Sequence, residues 1–298
     1  MKKIISFVIL AGLAVSFTAC RKNDNPKLPD IAKGVLPQLV QDDTREILIK
    51  DAANFNTAFT VGLYFKDGNQ PKKMDLMVAM NGDYSNPKPL KAEITSFPSK
   101  QEITGAQLAA AFGLQPSAIK PGDAFEIRPD ITLVDGTLLP AFRTAIINGD
   151  LTELPPYGVD ANNFPDANMT MTYEKVCPYV KDDFLNANGV LYVDDKNFSG
   201  ATYPVKVDIN GDTWTLTDWA GVPGAKITMT LDQRNYKMTI KQQTYAAVAP
   251  NLDPNEHDWT VVGSGKINPC TKSVTLTVTN TSRESNYGTA TTKIYVKQ

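Results

Sequence analysis

The sequence predicts an all-β exported protein in two parts: an N-terminal immunoglobulin-like β-sandwich with one short helix, then a C-terminal antiparallel meander closing into a small β-barrel. Three observations carry this expectation. From Glu46 onward, apolar residues alternate with polar ones along many short runs, the period of half-buried strands. Tight-turn dipeptides such as Asp135-Gly136 and Asn210-Gly211 stand between those runs. The N-terminus has the make-up of an export leader.

Lys2 and Lys3 are followed by an apolar run over residues 4–17, too short to span a bilayer core that takes ~20 residues. The run ends in Phe17-Thr18-Ala19-Cys20, small residues before a cysteine, as a lipoprotein signal peptidase requires. Residues 1–19 therefore read as a lipoprotein signal peptide with lipid on Cys20. The alternative is an ordinary secreted protein in which Cys20 is a free thiol. Residues 20–37 are polar, rich in Asn, Lys and Pro, and read as a tether. The expected membrane partner is lipid alone, since no second apolar stretch approaches spanning length.

At 298 residues the chain has room for about two domains. Its formal net charge is −2, and it has no basic run of the kind that marks nucleic-acid binding. Beyond Cys20 there are two cysteines, Cys177 and Cys270, an even pair suited to a disulfide in an oxidising compartment. Two buried reduced thiols are the other reading.

Residues 38–153 are assigned to the sandwich. Strands are expected at 46–50, 56–65, 74–80 and 90–97. In the second, Phe59, Val61 and Leu63 share a face; in the third, Met74, Leu76 and Val78 do. A helix interrupts them. Thr104-Gly105-Ala106-Gln107 has the capping-box spacing, and Gly113 stands where a left-handed C-terminal cap belongs. Strands at 124–128 and 131–134 follow, and Asp135-Gly136 turns the chain into 137–141. Residues 154–168, with three prolines and little periodicity, are read as an interdomain linker.

Residues 169–298 are assigned to the barrel-like domain. Eight strands are expected, at 190–193, 202–209, 213–217, 225–231, 237–243, 259–267, 273–281 and 289–296, joined mostly by short turns.

The segment from Met74 to Asp83, with Ser96-Phe97-Pro98, Ile103-Thr104-Gly105-Ala106-Gln107-Leu108 and the later Gly263-Ser264-Gly265-Lys266-Ile267-Asn268-Pro269-Cys270, resembles lipoproteins of Bacteroidetes encoded beside starch-utilisation-type outer-membrane glycan uptake systems. The resemblance implies an adhesin-like or immunoglobulin-like first domain and a cell-surface or periplasmic site at the outer membrane. It also implies glycan or a transporter complex as partners.

Chemistry for catalysis is sparse. The single histidine, His257, sits in Asn255-Glu256-His257-Asp258 and is read as an exposed polar-loop residue rather than a general base. Asp182-Asp183 and Asp194-Asp195 read as turn charges rather than a glycosidase pair. Asp208-Ile209-Asn210-Gly211-Asp212 offers oxygen ligands for calcium, but a hairpin already explains it. No metal and no cofactor is expected, and no enzyme activity. The aromatics are the ligand-binding signal. Trp219, with Asp218 beside it as a hydroxyl acceptor, reads equally as a sugar-stacking residue in a loop or as a packed core residue; Trp214, on a strand, reads as barrel core ahead of stacking, and Trp259 is a further candidate. The expected function is a non-catalytic lipoprotein that binds glycan or another ligand for an uptake system. The alternative is a structural or adhesive protein-interaction module.

Overall fold

The computed structural model describes residues 34–158, 160–185 and 189–297; Cys20, the leader and the tether up to residue 33 lie outside them. Leu36–Tyr64 and the chain from Gln70 onward form one compact unit. Phe65–Asn69 falls in a second unit and holds a turn, closed by the Gly68 N–H donating to the Phe65 carbonyl at 3.1 Å.

The strands of the first part are, in order, β1 (Pro37–Gln41), β2 (Leu48–Ile49), β3 (Asn56–Leu63), β4 (Lys73–Met80), β5 (Lys88–Ile94) and β6 (Ser99–Thr104). Helix α1 (Gly105–Ala111) follows, then β7 (Ala124–Thr132), β8 (Leu138–Leu139), β9 (Arg143–Ile147), β10 (Asp150–Leu154) and β11 (Met171–Lys175). One sheet has the order β1-β3-β6; the other has β2-β11-β7-β4-β5, with β8 added to the end of β7. The opening strand is divided between them: β1 pairs antiparallel with β3, whereas β2 runs parallel to β11. This is an immunoglobulin-like order.

Alternation explains the core. Met74, Leu76 and Val78 of β4, with Phe125 and Ile127 of β7, are fully buried, as are Phe59 and Val61 of β3 and Ile103 of β6. Each such side chain contributes ~1.5–3 kcal/mol by leaving water. Tyr173 ties the two sheets, its ring 5.5 Å from that of Phe55 and its hydroxyl donating to Gln41 Oε1 at 2.8 Å. Helix α1 starts on a complete capping box: Thr104 Oγ1 accepts from the Gln107 N–H at 3.2 Å, and Gln107 Oε1 accepts from the Thr104 N–H at 2.8 Å.

Four sequence readings are corrected here. Strand β11 pairs with β7 and β2, so the sandwich reaches Lys175; of residues 154–168, read as an interdomain linker, Leu154 ends β10 and the rest connect β10 to β11 inside the sandwich. The prolines there end a hairpin without ending the domain. The runs at 124–128 and 131–134 are one strand, β7, crossing Pro129. The ring is tolerated because pairing with β11 stops at Ile127 and pairing with β8 starts at Ile131, leaving that flank free. Pro37 is already in β1 rather than in the tether. Finally, β9 and β10 form a hairpin around Asn148-Gly149 where no strands were expected.

The second part is the predicted barrel. Strands β12 (Val190–Asp195), β13 (Ala201–Asn210), β14 (Thr213–Thr217), β15 (Lys226–Asp232), β16 (Lys237–Ala249), β17 (Asp253–Asn268), β18 (Ser273–Thr281) and β19 (Asn286–Tyr295) each pair antiparallel with the next. β19 pairs back to β12, so the barrel is closed and has no free edge. Eight strands enclose a space that side chains fill. Here Trp214, Leu216, Ile227, Met238 and Leu276 are among those with no exposed surface. The Gly263-Ser264-Gly265 run has a packing reason. A Cβ on Gly265 would stand 1.9 Å from the Thr275 carbonyl oxygen, and one on Gly263 2.6 Å from that of Thr277. β17 and β18 approach this closely only because both positions lack side chains.

The meander sorts the connections to two mouths. The β12–β13, β14–β15, β16–β17 and β18–β19 loops lie at one. The β13–β14, β15–β16 and β17–β18 turns lie at the other, where the chain enters from the sandwich. At that second mouth Cys177 is joined to Cys270, with Cα atoms 5.2 Å apart and a sequence separation of 93.

Candidate functional site

The tryptophans read as sugar-stacking candidates are all inside the barrel. Trp214 and Trp219 have no exposed surface and Trp259 has 1%. Trp214 packs edge-on against Phe184 at 5.1 Å, from the segment that enters the barrel. Trp259 stacks on Tyr287 at 5.2 Å, and its Nε1 donates to the Glu256 carbonyl at 3.3 Å. Trp219 corrects the loop expectation most directly. Its loop is short and flanked by Ala220, Val222 and Ala225, which are themselves buried, so it folds over the mouth and the indole fills the barrel end. Asp218 is a turn-former: its Oδ1 accepts from the Gly224 N–H at 2.8 Å, and its Oδ2 is 3.7 Å from Lys206 Nζ. In this arrangement none of the three indoles presents a stacking face to a ligand.

The plug is held in a strained conformation. Asp218, Ala220 and Gly221 all have positive φ, at 71°, 56° and 70°. For Ala220 this left-handed geometry costs ~1–2 kcal/mol. Two hydrogen bonds fix it: the Ala220 N–H donates to Tyr203 Oη at 3.1 Å, and Asn251 Nδ2 donates to the Ala220 carbonyl at 3.1 Å.

Beneath the plug lies a fully buried carboxylate, Asp195. Leu191, Val193 and Asp195 share one face of β12, so the strand that buries the two aliphatics buries the acid as well. Thr292 Oγ1 donates to its Oδ1 at 2.9 Å, and Tyr203 Oη lies 3.5 Å from its Oδ2. Burial pushes its carboxyl up to about 6, against the opposing pull of these two hydroxyls. Burial likewise raises the phenols of Tyr203 and Tyr245. Folding thus takes up a proton between the ordinary carboxyl value of 3.8 and about 6. Because the native state binds the extra proton, stability falls as pH rises through that window. Asp195→Asn is expected to flatten this part of the pH profile relative to the parent and to raise stability near pH 7 by on the order of 1–3 kcal/mol. Urea midpoints at about pH 4 and pH 7 measure it. A variant less stable at neutral pH with an unchanged profile would mean that the hydrogen bonds outweigh the desolvation.

Concavity is found at the opposite mouth, where β2 and β11 of the sandwich face the barrel. Two cavities of about 390 and 610 Å3 share Leu48, Glu174, Asn235 and Lys266 and so make one groove. Its sandwich wall is held by Leu48 and Val176, which pack against the barrel core, and by Arg234 Nη1 donating to the Asp43 carbonyl at 2.9 Å. Its deeper end is built on Tyr236, whose hydroxyl donates to the Cys177 carbonyl at 3.0 Å and accepts from the Tyr179 N–H at 2.9 Å. The Lys175 ammonium is committed, donating to the carbonyls of Lys50 at 2.7 Å and Val176 at 3.1 Å. Lys237, Lys266, Glu174, Ser264 and Thr277 present exposed or polar groups along the rest.

The other sequence candidates have local partners. His257 lies on β17, with Nδ1 3.2 Å from Glu284 Oε1. Gly211 turns the β13–β14 hairpin with φ of 57°, and Asp212 Oδ1 accepts from Gln233 Nε2 at 2.6 Å. Asp183 pairs with Lys272 Nζ at 2.9 Å. Among the described residues no three His, Cys, Asp or Glu side chains are grouped as a metal site would need. The groove residues went unread in the sequence. The signal for the lysines lay in the register of the meander: counting back from the β16 and β17 turns puts Lys237 opposite Lys266.

Compared with known proteins, the chain matches no family model and no curated protein.

Proposed function

We propose that this chain is a non-catalytic lipoprotein, anchored through Cys20 at an outer membrane, that binds glycan in the groove between sandwich and barrel for an uptake system. The observation that carries the reading is the groove. It is concave, lies where two folded parts meet, and is lined by side chains that donate and accept hydrogen bonds, the usual setting of a ligand site. Immobile walls favour it further, since a disulfide and an interlocked Tyr236 hold its deep end. The leader and the Thr18-Ala19-Cys20 junction support the anchor.

The test has two arms. Cys20→Ser is expected to abolish lipid labelling and release the chain from membranes; a variant that fractionates with membranes as before contradicts the anchor. A glycan screen on the detergent-solubilised chain is expected to find binders, and a screen without any contradicts the groove reading.

A protein-interaction module is the second reading, and one observation favours it. The β9–β10 hairpin pairs with neither larger sheet, and Ile146 and Leu151, cross-strand partners in it, are 68% and 57% exposed. Exposed aliphatic pairs of this kind are frequent in protein contacts. A blank glycan screen together with self-association that Ile146→Ser abolishes, measured by sedimentation, would select this reading.

A further inference from the structure

The groove carries a charge arrangement that the fold does not need. Lys237 on β16 and Lys266 on β17 are partners in register, and both side chains line the groove. Paired strands lie ~4.8 Å apart, and like charges directly opposite each other are destabilising. Among the described residues neither ammonium has a carboxylate within ion-pairing distance, and both residues are exposed. The barrel row continues from Lys266 through Thr275 to Lys293 on β19, and an aspartate closes it at either end, Asp232 opposite Lys237 and Asp194 opposite Lys293, so the unbalanced positive charge is confined to the lysine pair in the groove.

Next to this row the register sets hydroxyls in line. Thr239 pairs with Ser264, Ser264 with Thr277 and Thr277 with Thr291; of these, Ser264 and Thr277 line the groove. Asn235 adds an amide, and Glu174 on the sandwich wall adds an acceptor for hydroxyl protons. The groove thus offers a two-lysine clamp for negative charge beside neutral hydrogen-bonding groups at strand spacing.

Building on the glycan reading above, we propose that the ligand is an acidic polysaccharide, its carboxylate or sulfate groups seated between Lys237 and Lys266 and its hydroxyls on Ser264, Thr277 and Glu174. Bound anion relieves the repulsion between the two lysines, so binding and local stability are coupled. The clamp reads charge and the hydroxyl row reads the sugar.

Calorimetric titration of the full detergent-solubilised chain tests this with three probes of equal length: oligogalacturonate, a sulfated dextran oligosaccharide and neutral cello-oligosaccharide. At low salt at least one acidic probe is expected to bind tenfold or more tighter than the neutral one. That preference should shrink as ionic strength rises and the Debye length falls below ~10 Å. The two acidic arms tell carboxylate from sulfate. In K237Q/K266Q, acidic binding should drop at least tenfold while the melting temperature stays level or rises, because a repulsion is removed. A purely structural lysine pair would instead lower melting on substitution. If the double variant does not fold, K266Q alone and the salt dependence of the parent decide. Equal affinity for neutral and acidic probes, or acidic binding unmoved by the substitutions, overturns the acidic assignment while the groove survives. Absence of binding to all three overturns it together with the groove reading.

Discussion

Trp219→Ala lowers the stability of the fold by ~3–5 kcal/mol, the range for removing a large buried aromatic. The indole has no exposed surface, and it belongs to the barrel's main apolar cluster, so its loss leaves a void at the mouth that the closed strands cannot shrink to fill. The loop beneath it adds to the loss. Ala220 keeps its left-handed strain only while Tyr203 and Asn251 hold it, and both bonds depend on the plug staying seated. Trp219→Phe keeps most of the filling and should lose only ~1–2 kcal/mol. Urea unfolding of the three proteins measures this. A near-unchanged midpoint for Trp219→Ala would mean that the residue is not core, and the loop would return as a candidate ligand site.

Removing the Cys177–Cys270 link has an effect of similar size by a different route. The bond spans 93 residues, and in the chain-entropy model a loop of that length stabilises by ~4–5 kcal/mol, through restriction of the unfolded chain. There is also a local consequence. Cys177 opens the segment carrying Tyr179 and Phe184, which lies over Trp214, and it accepts the Tyr236 hydroxyl at the deep end of the groove. The double Cys→Ala variant should therefore show a lower urea midpoint and faster exchange of amides 177–185. Reductant should shift the parent towards the variant and leave the variant unmoved. Recovery of both residues as free thiols from oxidised material, or equal midpoints with and without reductant, contradicts the account.

The barrel was legible because its information is local. Strict alternation in strands such as β13, with Tyr203, Val205, Val207 and Ile209 buried between exposed neighbours, specifies face and length together. Short turns such as Asn210-Gly211 then leave few topologies. The sandwich was harder, since its edges carry little apolar signal. β6 has one buried aliphatic, Ile103, and β2 is two residues long, so both exist through their partners rather than their own composition. The error at residues 154–168 has the same origin. Proline density reports the absence of regular structure, but the return of β11 to β7 depends on a pairing across more than forty residues.

The site was misread for a related reason. Trp219 sits in a loop after Asp218 and before Gly221 and Gly224, and composition alone gives such a residue no reason to be buried. Burial came from closure: the β14–β15 loop folds over one mouth of the ring, and Trp219 is buried there with Ala220, Val222 and Ala225. Asp195 shows the converse. Its phase with Leu191 and Val193 placed it inside, but the adjacent Asp194 invited a reading of both as solvated charges. The groove joins residues more than two hundred positions apart, Leu48 and Lys266 among them, and no local pattern announces it.

Selective acetylation of lysines in the presence and absence of bound acidic oligosaccharide tests the central claim most directly. Lys237 and Lys266 line the groove, whereas Lys206 lies 3.7 Å from Asp218 beside the plugged mouth. Protection of Lys237 and Lys266 with Lys206 modified as freely as before is the expected result. Protection confined to Lys206, with the groove lysines fully reactive, would put the ligand at the Trp219 loop and contradict the account.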